Sequence, residues 1–291
     1  MSRRDLAAWV AEAVALQEQD AQTAGAVGYM GRIFVQTTLP HTARPETEYE
    51  RSNGRLHLSL LARKRVGLPY GVYPRLVLSW LTTEAVRTKN RELVLGDSLA
   101  AWLRQLGLPR TGGSRGTIHR LHDQMRRLFT CMISVEEERD GGWVEAGMRV
   151  ASRSMLWWDP KSPEAQGLWE STVTLSPDFY ACVTDRPPPI DLRALQALKG
   201  SPLRLDLYCW LTWRMSTLPG PRTVPWDALA LQFGGDYAQP RQFKAAALKH
   251  LPYVLAVYPE AKVEATNRGL LLRPSPPHVP PRAARLLPAS I

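Results

Sequence analysis

The apolar positions of the chain alternate between two periods. Between residues 5 and 19, Leu6, Trp9, Val10, Ala13 and Leu16 share one helical face while Glu12, Gln17 and Glu18 lie elsewhere, which predicts an amphipathic N-terminal helix packed on its own domain. From Gly28 the pattern turns to β: RIFVQTTL and RLHLSLLA are expected to be strands of one hairpin, joined by a polar loop containing Ser52, Asn53 and Gly54. GLPYGVYP, residues 67 to 74, is a turn, and Leu76, Val77, Trp80, Leu81 and Ala85 then space as a buried helix. RELVLG is a short strand, and Asp97 or Ser98 can cap a helix from Leu99 to Leu106 that stops at Gly107. A glycine-rich turn, TGGSRG, opens a longer helix to about Phe129, whose core stripe is Ile118, Leu121, Met125, Leu128 and Phe129. CMISVEEE and GWVEAGMRV then form a hairpin across DGG.

The same order returns 130 residues later. WLTTEAVRTKNRELVLGDSLA (80 to 100) aligns without a gap on WLTWRMSTLPGPRTVPWDALA (210 to 230), with Trp80/Trp210, Leu81/Leu211, Thr82/Thr212, Val94/Val224, Asp97/Asp227, Leu99/Leu229 and Ala100/Ala230 identical. Unrelated segments of such composition share roughly one or two positions, so the match marks a duplicated unit. In the second copy SPLRLDLYCWLTWRMS is the first helix, RTVPW the strand, DALALQF the second helix, and Pro240 opens the third. Phe243, Ala247 and Val254 face inward, and Pro252 is expected to kink or end that helix near His250 or Leu251. AKVEA and LLLRP close the unit across a turn at Asn267 to Gly269.

Helix, strand, helix, helix and hairpin, written twice, predict an α+β protein of tandem winged helix-turn-helix domains. The boundaries are 1–27 for the N-terminal helix, 28–185 and 186–273 for the two winged-helix domains, and 274–291 for a Pro-rich tail, expected to be extended or disordered. DRPPPIDLRAL is the inter-domain junction. At 291 residues the chain can support two cores.

Charge narrows the partner. A formal +10 and 30 Arg against 7 Lys favour a polyanion, nucleic acid before an acidic membrane. A GC-rich coding sequence also yields excess Arg, so position decides. Arg115, His119, Arg120, Arg126 and Arg127 lie off the core stripe of the first third helix, behind backbone amides suited to a phosphate. Arg241, Gln242, Lys244 and Lys249 face out from the second, and Arg268 tips its hairpin. Arg can bridge guanine O6 and N7 and Gln can bridge adenine N6 and N7 in a major groove. Acidic Glu136, Glu137 and Glu138 argue against DNA contact by the first hairpin.

Catalytic signals are poor. His119, His122 and Asp123 lack a second ligand pair for a metal, TGGSRGT lacks the GK[ST] of a nucleotide-binding loop, and no tyrosine has an adjacent HxH metal pair. No catalytic residue, metal or cofactor is expected, and the chain reads as no enzyme. Cys131, Cys182 and Cys209 show no CxxC and suit a reducing cytoplasm. No apolar run approaches the ~18 residues of a membrane span, and Glu12 interrupts any export signal at SRRDLAAWVAEAVAL.

Taken together, GYMGRIFVQTTLPH (28 to 41), GLPYGVYPRLVLSWLTTEAVRTKNRELVLGDSL (67 to 99), LWWDPK with LWESTVTLS (156 to 176) and PIDLRALQALKGSPLRLDLYCWLTWRMS (189 to 216) resemble the plasmid RepA-type replication initiators. The resemblance implies a protein that binds repeated sites (iterons) in double-stranded plasmid origin DNA, helps open the duplex, and recruits the host replication initiator and helicase machinery. Many proteins of that kind also repress their own promoter as homodimers. A transcriptional repressor without a replication role would share the same DNA-reading face.

Overall fold

The computed structural model describes residues 9, 11, 13–96, 98–113, 115–139, 141–155 and 171–280. Asp97, the LWWDPK segment and the tail beyond Pro280 lie outside the described residues. The frame is a pair of helices, α2 (Val72–Thr88) and α7 (Pro202–Ser216), that carry the two copies of the Trp-Leu-Thr motif. Both are buried on nearly every face, as expected where apolar residues surround a helix instead of forming one stripe. The repeated residues have repeated surroundings. Trp80 meets Trp102 edge-on at 5.6 Å, and Trp210 meets Phe233 in the same manner at 5.6 Å. Leu81 and Leu211 are fully buried, and the hydroxyls of Thr82 and Thr212 are both buried.

Each central helix begins one unit of common topology. In the first, α2 is followed by β4 (Glu92–Val94), α3 (Leu99–Gln105) and α4 (Thr117–Thr130); in the second, α7 is followed by β10 (Arg222–Pro225), α8 (Trp226–Phe233) and α9 (Pro240–Val257). Ser98 is the cap that forms at α3, its Oγ accepting from Ala101 N at 3.2 Å. The strand after the first helix pairs with the last strand of the unit, so the sheets read β4-β8-β7 and β10-β12-β11, with β7 (Ala151–Met155), β8 (Thr172–Leu175), β11 (Val263–Ala265) and β12 (Gly269–Leu272). All pairings are antiparallel.

The strand pair that completes the first unit is therefore β7–β8 and not the expected hairpin over 131–150. That hairpin exists, as β5 (Met132–Arg139) and β6 (Gly142–Arg149), but it joins β2 (Glu48–Ser52) and β3 (Leu56–Leu61) in a four-stranded sheet ordered β2-β3-β5-β6. β3 and β5 pair over six residues, from Leu56 opposite Glu137 to Leu61 opposite Met132, with Leu58, Leu60, Ile133 and Val135 on the buried face. Alternation identifies each strand but not its neighbour.

RIFVQ is also not a strand but helix α1 (Arg32–Gln36). Ile33, Phe34 and Val35 are consecutive and all buried, whereas a half-exposed strand hides only alternate residues. The helix is closed by Thr37, whose Oγ1 donates to Ile33 O at 2.7 Å. β3's hairpin partner is β2 instead, across a turn where Asn53 Oδ1 accepts from Arg55 N and Leu56 N. Pro252 does not stop α9, which continues to Val257. Pro252 faces solvent, where the carbonyl it leaves unpaired can meet water, while Leu251, Val254 and Val257 anchor the last turns in the core.

The units are sewn together. β1 (Val27–Tyr29) pairs with β9 (Pro189–Asp191) across the expected boundary, which falls between α5 (Pro177–Thr184) and β9. The strap from Val35 to Arg44 bonds to the end of α8: Gln232 Nε2 donates to Val35 O at 3.1 Å, and Asp236 accepts from Thr42 N at 2.6 Å and Arg44 Nε at 3.1 Å. One apolar core runs through both units. Of the N-terminal helix, Trp9 donates to Ala197 O at 3.1 Å at the end of α6 (Leu192–Ala197) and stacks edge-on to Tyr253, so the helix packs on the second unit; Leu6 and Val10 lie outside the described residues. The start of the tail is extended and docked on the second unit: His278 Nδ1 lies 2.8 Å from the Tyr208 hydroxyl, and Val279 is buried.

At the centre Arg75 of α2 and Asp206 of α7 form a buried two-pronged ion pair, Nε to Oδ1 at 2.7 Å and Nη2 to Oδ2 at 2.8 Å, with His41 Nε2 2.8 Å from Oδ2. Burial alone would raise the Asp206 pKa, but the Arg75 charge and the bonds from His41 and Arg75 outweigh it and hold it below the ordinary value. Replacing one member, Asp206→Asn or Arg75→Ala, should cost about 3–5 kcal/mol because a buried partner is left uncompensated. Urea unfolding at pH 7 measures this, and a loss under ~1 kcal/mol would remove the pair from its structural role. The contribution of Asp206 is complete above the ordinary aspartate value of ~3.9 and is lost as pH falls through the depressed folded value. Asp206→Asn should accordingly flatten the acid limb of stability against pH.

Candidate nucleic-acid interface

The third helix of each unit buries one stripe and presents the other. In α4, Ile118, Leu121, Met125, Leu128 and Phe129 are all buried, as their spacing requires. Arg115, His119, Arg120 and Arg126 are exposed. The turn before the helix is closed on itself: Thr111 Oγ1 accepts from Thr117 N at 2.8 Å, and Thr111 O from Ile118 N at 3.3 Å. Those two amides are engaged inside the loop and are not offered to a phosphate.

Arg127 differs from its neighbours. Its Nε donates to Asp123 Oδ2 at 2.8 Å, Nη1 donates to Leu68 O at 3.3 Å, and the guanidinium stands 5.4 Å from the Tyr70 ring centre. It clamps the turn that leads into α2. Gly67 sits under this clamp with φ 84°, where a side chain would be strained and would collide with the guanidinium. Asp123 is thereby committed to Arg127.

In the second unit Arg241, Gln242 and Lys249 are exposed along α9, and Arg268 is exposed at the tip of the β11–β12 turn. Lys244 joins these features. Its Nζ donates to Asn267 O at 3.4 Å and lies 5.3 Å from the Trp226 ring, while Trp226 Nε1 donates to Thr266 O at 2.9 Å. The first turn of α9, the start of α8 and the hairpin tip form one continuous surface. Farther along, Arg204 Nε donates to His250 Nδ1 at 3.1 Å. Burial, then the charges of Arg204 and Lys249, pull the His250 pKa down to about 4, so at neutral pH it adds no positive charge to this face.

The remaining reactive side chains are quiet. Burial pushes the Cys131 thiol up to about 12 and the Cys182 thiol up to about 11, so both stay protonated near neutral pH. Among the described residues no group of three or more His, Cys, Asp or Glu is gathered as for a metal ion. No helix among them is long and apolar enough to cross a membrane.

A family model described as plasmid encoded RepA protein matches residues 68–228, more than half of the chain, from the turn ahead of α2 into α8. The chain belongs to the RepA-type plasmid replication initiator family. The match spans both Trp-Leu-Thr motifs of this RepA-family chain and ends before α9 and the β11–β12 hairpin. Among solved structures, the crystal structure of domains 2 and 3 of RctB is similar with a TM-score of 0.51 at 16% identity, covering 76% of this chain and 81% of that one. A second RctB structure, of residues 155–483, has a TM-score of 0.49 at 15% identity and covers 80% and 84%. At such identity the first likeness concerns the fold. No curated protein sequence matches the chain.

Arg127→Ala should lower stability by about 1–2 kcal/mol, because the Asp123 and Leu68 bonds and the packing on Tyr70 disappear. Arg126→Ala, one residue earlier and exposed, should stay within about 0.5 kcal/mol. Equal denaturation midpoints for the two variants would show that the clamp carries no stability.

Proposed function

We propose that this RepA-family protein is a sequence-specific reader of plasmid origin DNA, built from two winged helix-turn-helix units that bind repeated origin sites. The observation that carries the reading is the recurrence of one topology, helix, strand, helix, helix and hairpin with sheet orders β4-β8-β7 and β10-β12-β11, with exposed cations on both third helices. In that motif the third helix enters a major groove while flanking elements hold the backbone. Arg115, His119, Arg120 and Arg126 are among the exposed side chains of α4 and its leading turn; Arg241, Gln242 and Lys249 are among those of α9. Arg268 suits a phosphate beside the second helix, and Lys244 braces the hairpin that presents it. Arg127, held by Asp123, serves the fold before any DNA contact.

Two units on one chain can occupy successive major grooves, roughly 10 bp apart, as the two subunits of a dimer do. Phosphate contacts supply salt-dependent affinity, and a few bidentate contacts supply the choice of sequence. Opening of the duplex is then driven by binding energy from several bound copies and by deformation of the DNA. Recruitment of host replication proteins and assembly with a second copy belong to the same reading, which needs no enzymatic step.

The test is binding to the plasmid's own origin repeats against scrambled duplex over a salt series. Arg120→Ala/Arg126→Ala and Arg241→Ala/Lys249→Ala should each weaken origin binding, by about 1–3 kcal/mol for a side chain that reads a base, and reduce the salt slope by about 1 for each cation withdrawn from a phosphate. Equal binding of origin and scrambled duplex, or unchanged binding by both double variants, would sink the proposal.

A further inference from the structure

Between the β2–β3 turn of the four-stranded sheet and the β10 edge of the second unit lies a cleft of about 560 Å³. Arg55 and Glu137 line it from the sheet, Trp213 and Arg214 from the end of α7, and Arg222 from β10. Glu137 is engaged by Arg139 at 3.0 Å. Arg55, Arg214 and Arg222 form no ion pair with any described residue, whereas the buried or half-buried Arg75, Arg44 and Arg193 each have a carboxylate. Arg214 is half-buried, and burial followed by the charge of Arg222 pulls its guanidinium below the ordinary value. A half-buried guanidinium with a second, exposed cation beside it and no counter-charge is unfavourable for the chain alone, and a bound anion offsets that cost.

The duplication shows that the fold does not require these charges. At the same 130-residue offset that aligns Trp80 with Trp210, Arg214 corresponds to Glu84 and Arg222 to Glu92. Glu84 pairs with Arg87 at 2.5 Å, so the first copy carries the opposite sign at matching positions of its helix and strand. Trp213 adds a partly exposed ring, a surface on which a nucleobase can stack.

We propose that this cleft is a nucleotide-phosphate site, in which Arg214 and Arg222 hold the phosphate, Arg55 closes the sheet side and Trp213 receives the base. None of its lining residues belongs to the exposed faces of α4 or α9, so its occupancy does not depend on the proposed reading helices, although Pro225 and Ala228 bring its edge to the start of α8. The phosphate can belong to a free nucleotide or to a single DNA strand.

Calorimetric titration of the full chain with ATP and, separately, with a ten-residue oligo-dT distinguishes the sources. Wild type should bind at least one probe, and Arg214→Gln/Arg222→Gln should weaken that binding by about tenfold or more, the effect of removing charge-assisted hydrogen bonds. Arg222→Glu, which restores the residue of the first copy at an exposed position, should weaken it likewise. Neither variant should melt at a lower temperature, since the arginines repel one another. Origin duplex binding measured alongside should stay within about twofold, which separates this site from the third-helix surface. Weaker ATP binding by the variants assigns the site to a free nucleotide, and weaker oligo-dT binding assigns it to a strand. The proposal is overturned if wild type binds neither probe, or if both variants bind them as wild type does.

Discussion

The arrangement of the whole molecule depends on one buried charge. Arg75 has five N–H donors, and each is used: Nε and Nη2 on the Asp206 carboxylate, Nη2 also on Leu39 O, and Nη1 on Pro40 O and Gly71 O. A guanidinium in the interior is tolerable only with such complete satisfaction. Its partners come from the loop before α2, from the strap at residues 39 to 41 and from α7 of the other unit. Displacing any of them strands a charge, so the pair selects a single packing of the two central helices. The tail reinforces this on the other side, where the Tyr208 hydroxyl accepts from Asp191 N and meets His278. With the central helices fixed, the third helices that lean on them are fixed as well.

Much of the fold is legible in the sequence because duplication leaves its trace where packing is tightest. Trp80/Trp210 and Leu81/Leu211 are identical because both helices are surrounded by core, and the helical period of α4 marks the same stripe that the core buries. Pairing is less legible. The hairpin over 132–149 shows the alternation of a strand pair, yet nothing in that alternation says that β3, far earlier in the chain, supplies the neighbouring edge while β8 pairs with β4. RIFVQ reads as β from its branched and aromatic residues, and tertiary burial on successive residues overrides that preference. A proline inside a helix is disruptive when the carbonyl it frees has nowhere to go, whereas the solvent-facing position of Pro252 provides water.

The candidate surface is legible as a helix face but not residue by residue. Periodicity keeps Arg120, Arg126 and Arg127 off the core, whereas Arg127 turns toward Asp123 and Leu68 O through contacts that form only in the fold. Lys244 is similar, since its bond to Asn267 spans a separation that no local pattern reports. The cleft beside Arg214 and Arg222 has a sequence signal that composition conceals: alignment of the two copies places Glu opposite Arg at both positions.

The two units share what they bury and differ in what they present. Inside, Trp, Leu and Thr recur with the same 5.6 Å ring contacts around the two tryptophans. Outside, α4 and its leading turn offer Arg115, His119, Arg120 and Arg126, whereas α9 offers Arg241, Gln242 and Lys249, and a hairpin tip with Arg268 accompanies the second. Two identical subunits present identical faces and so favour a palindrome. Two diverged units locked by a buried ion pair present different faces at one fixed spacing. On the proposed reading, a single chain can therefore recognise a directional site, and repeats of such a site would orient successive copies the same way along the origin.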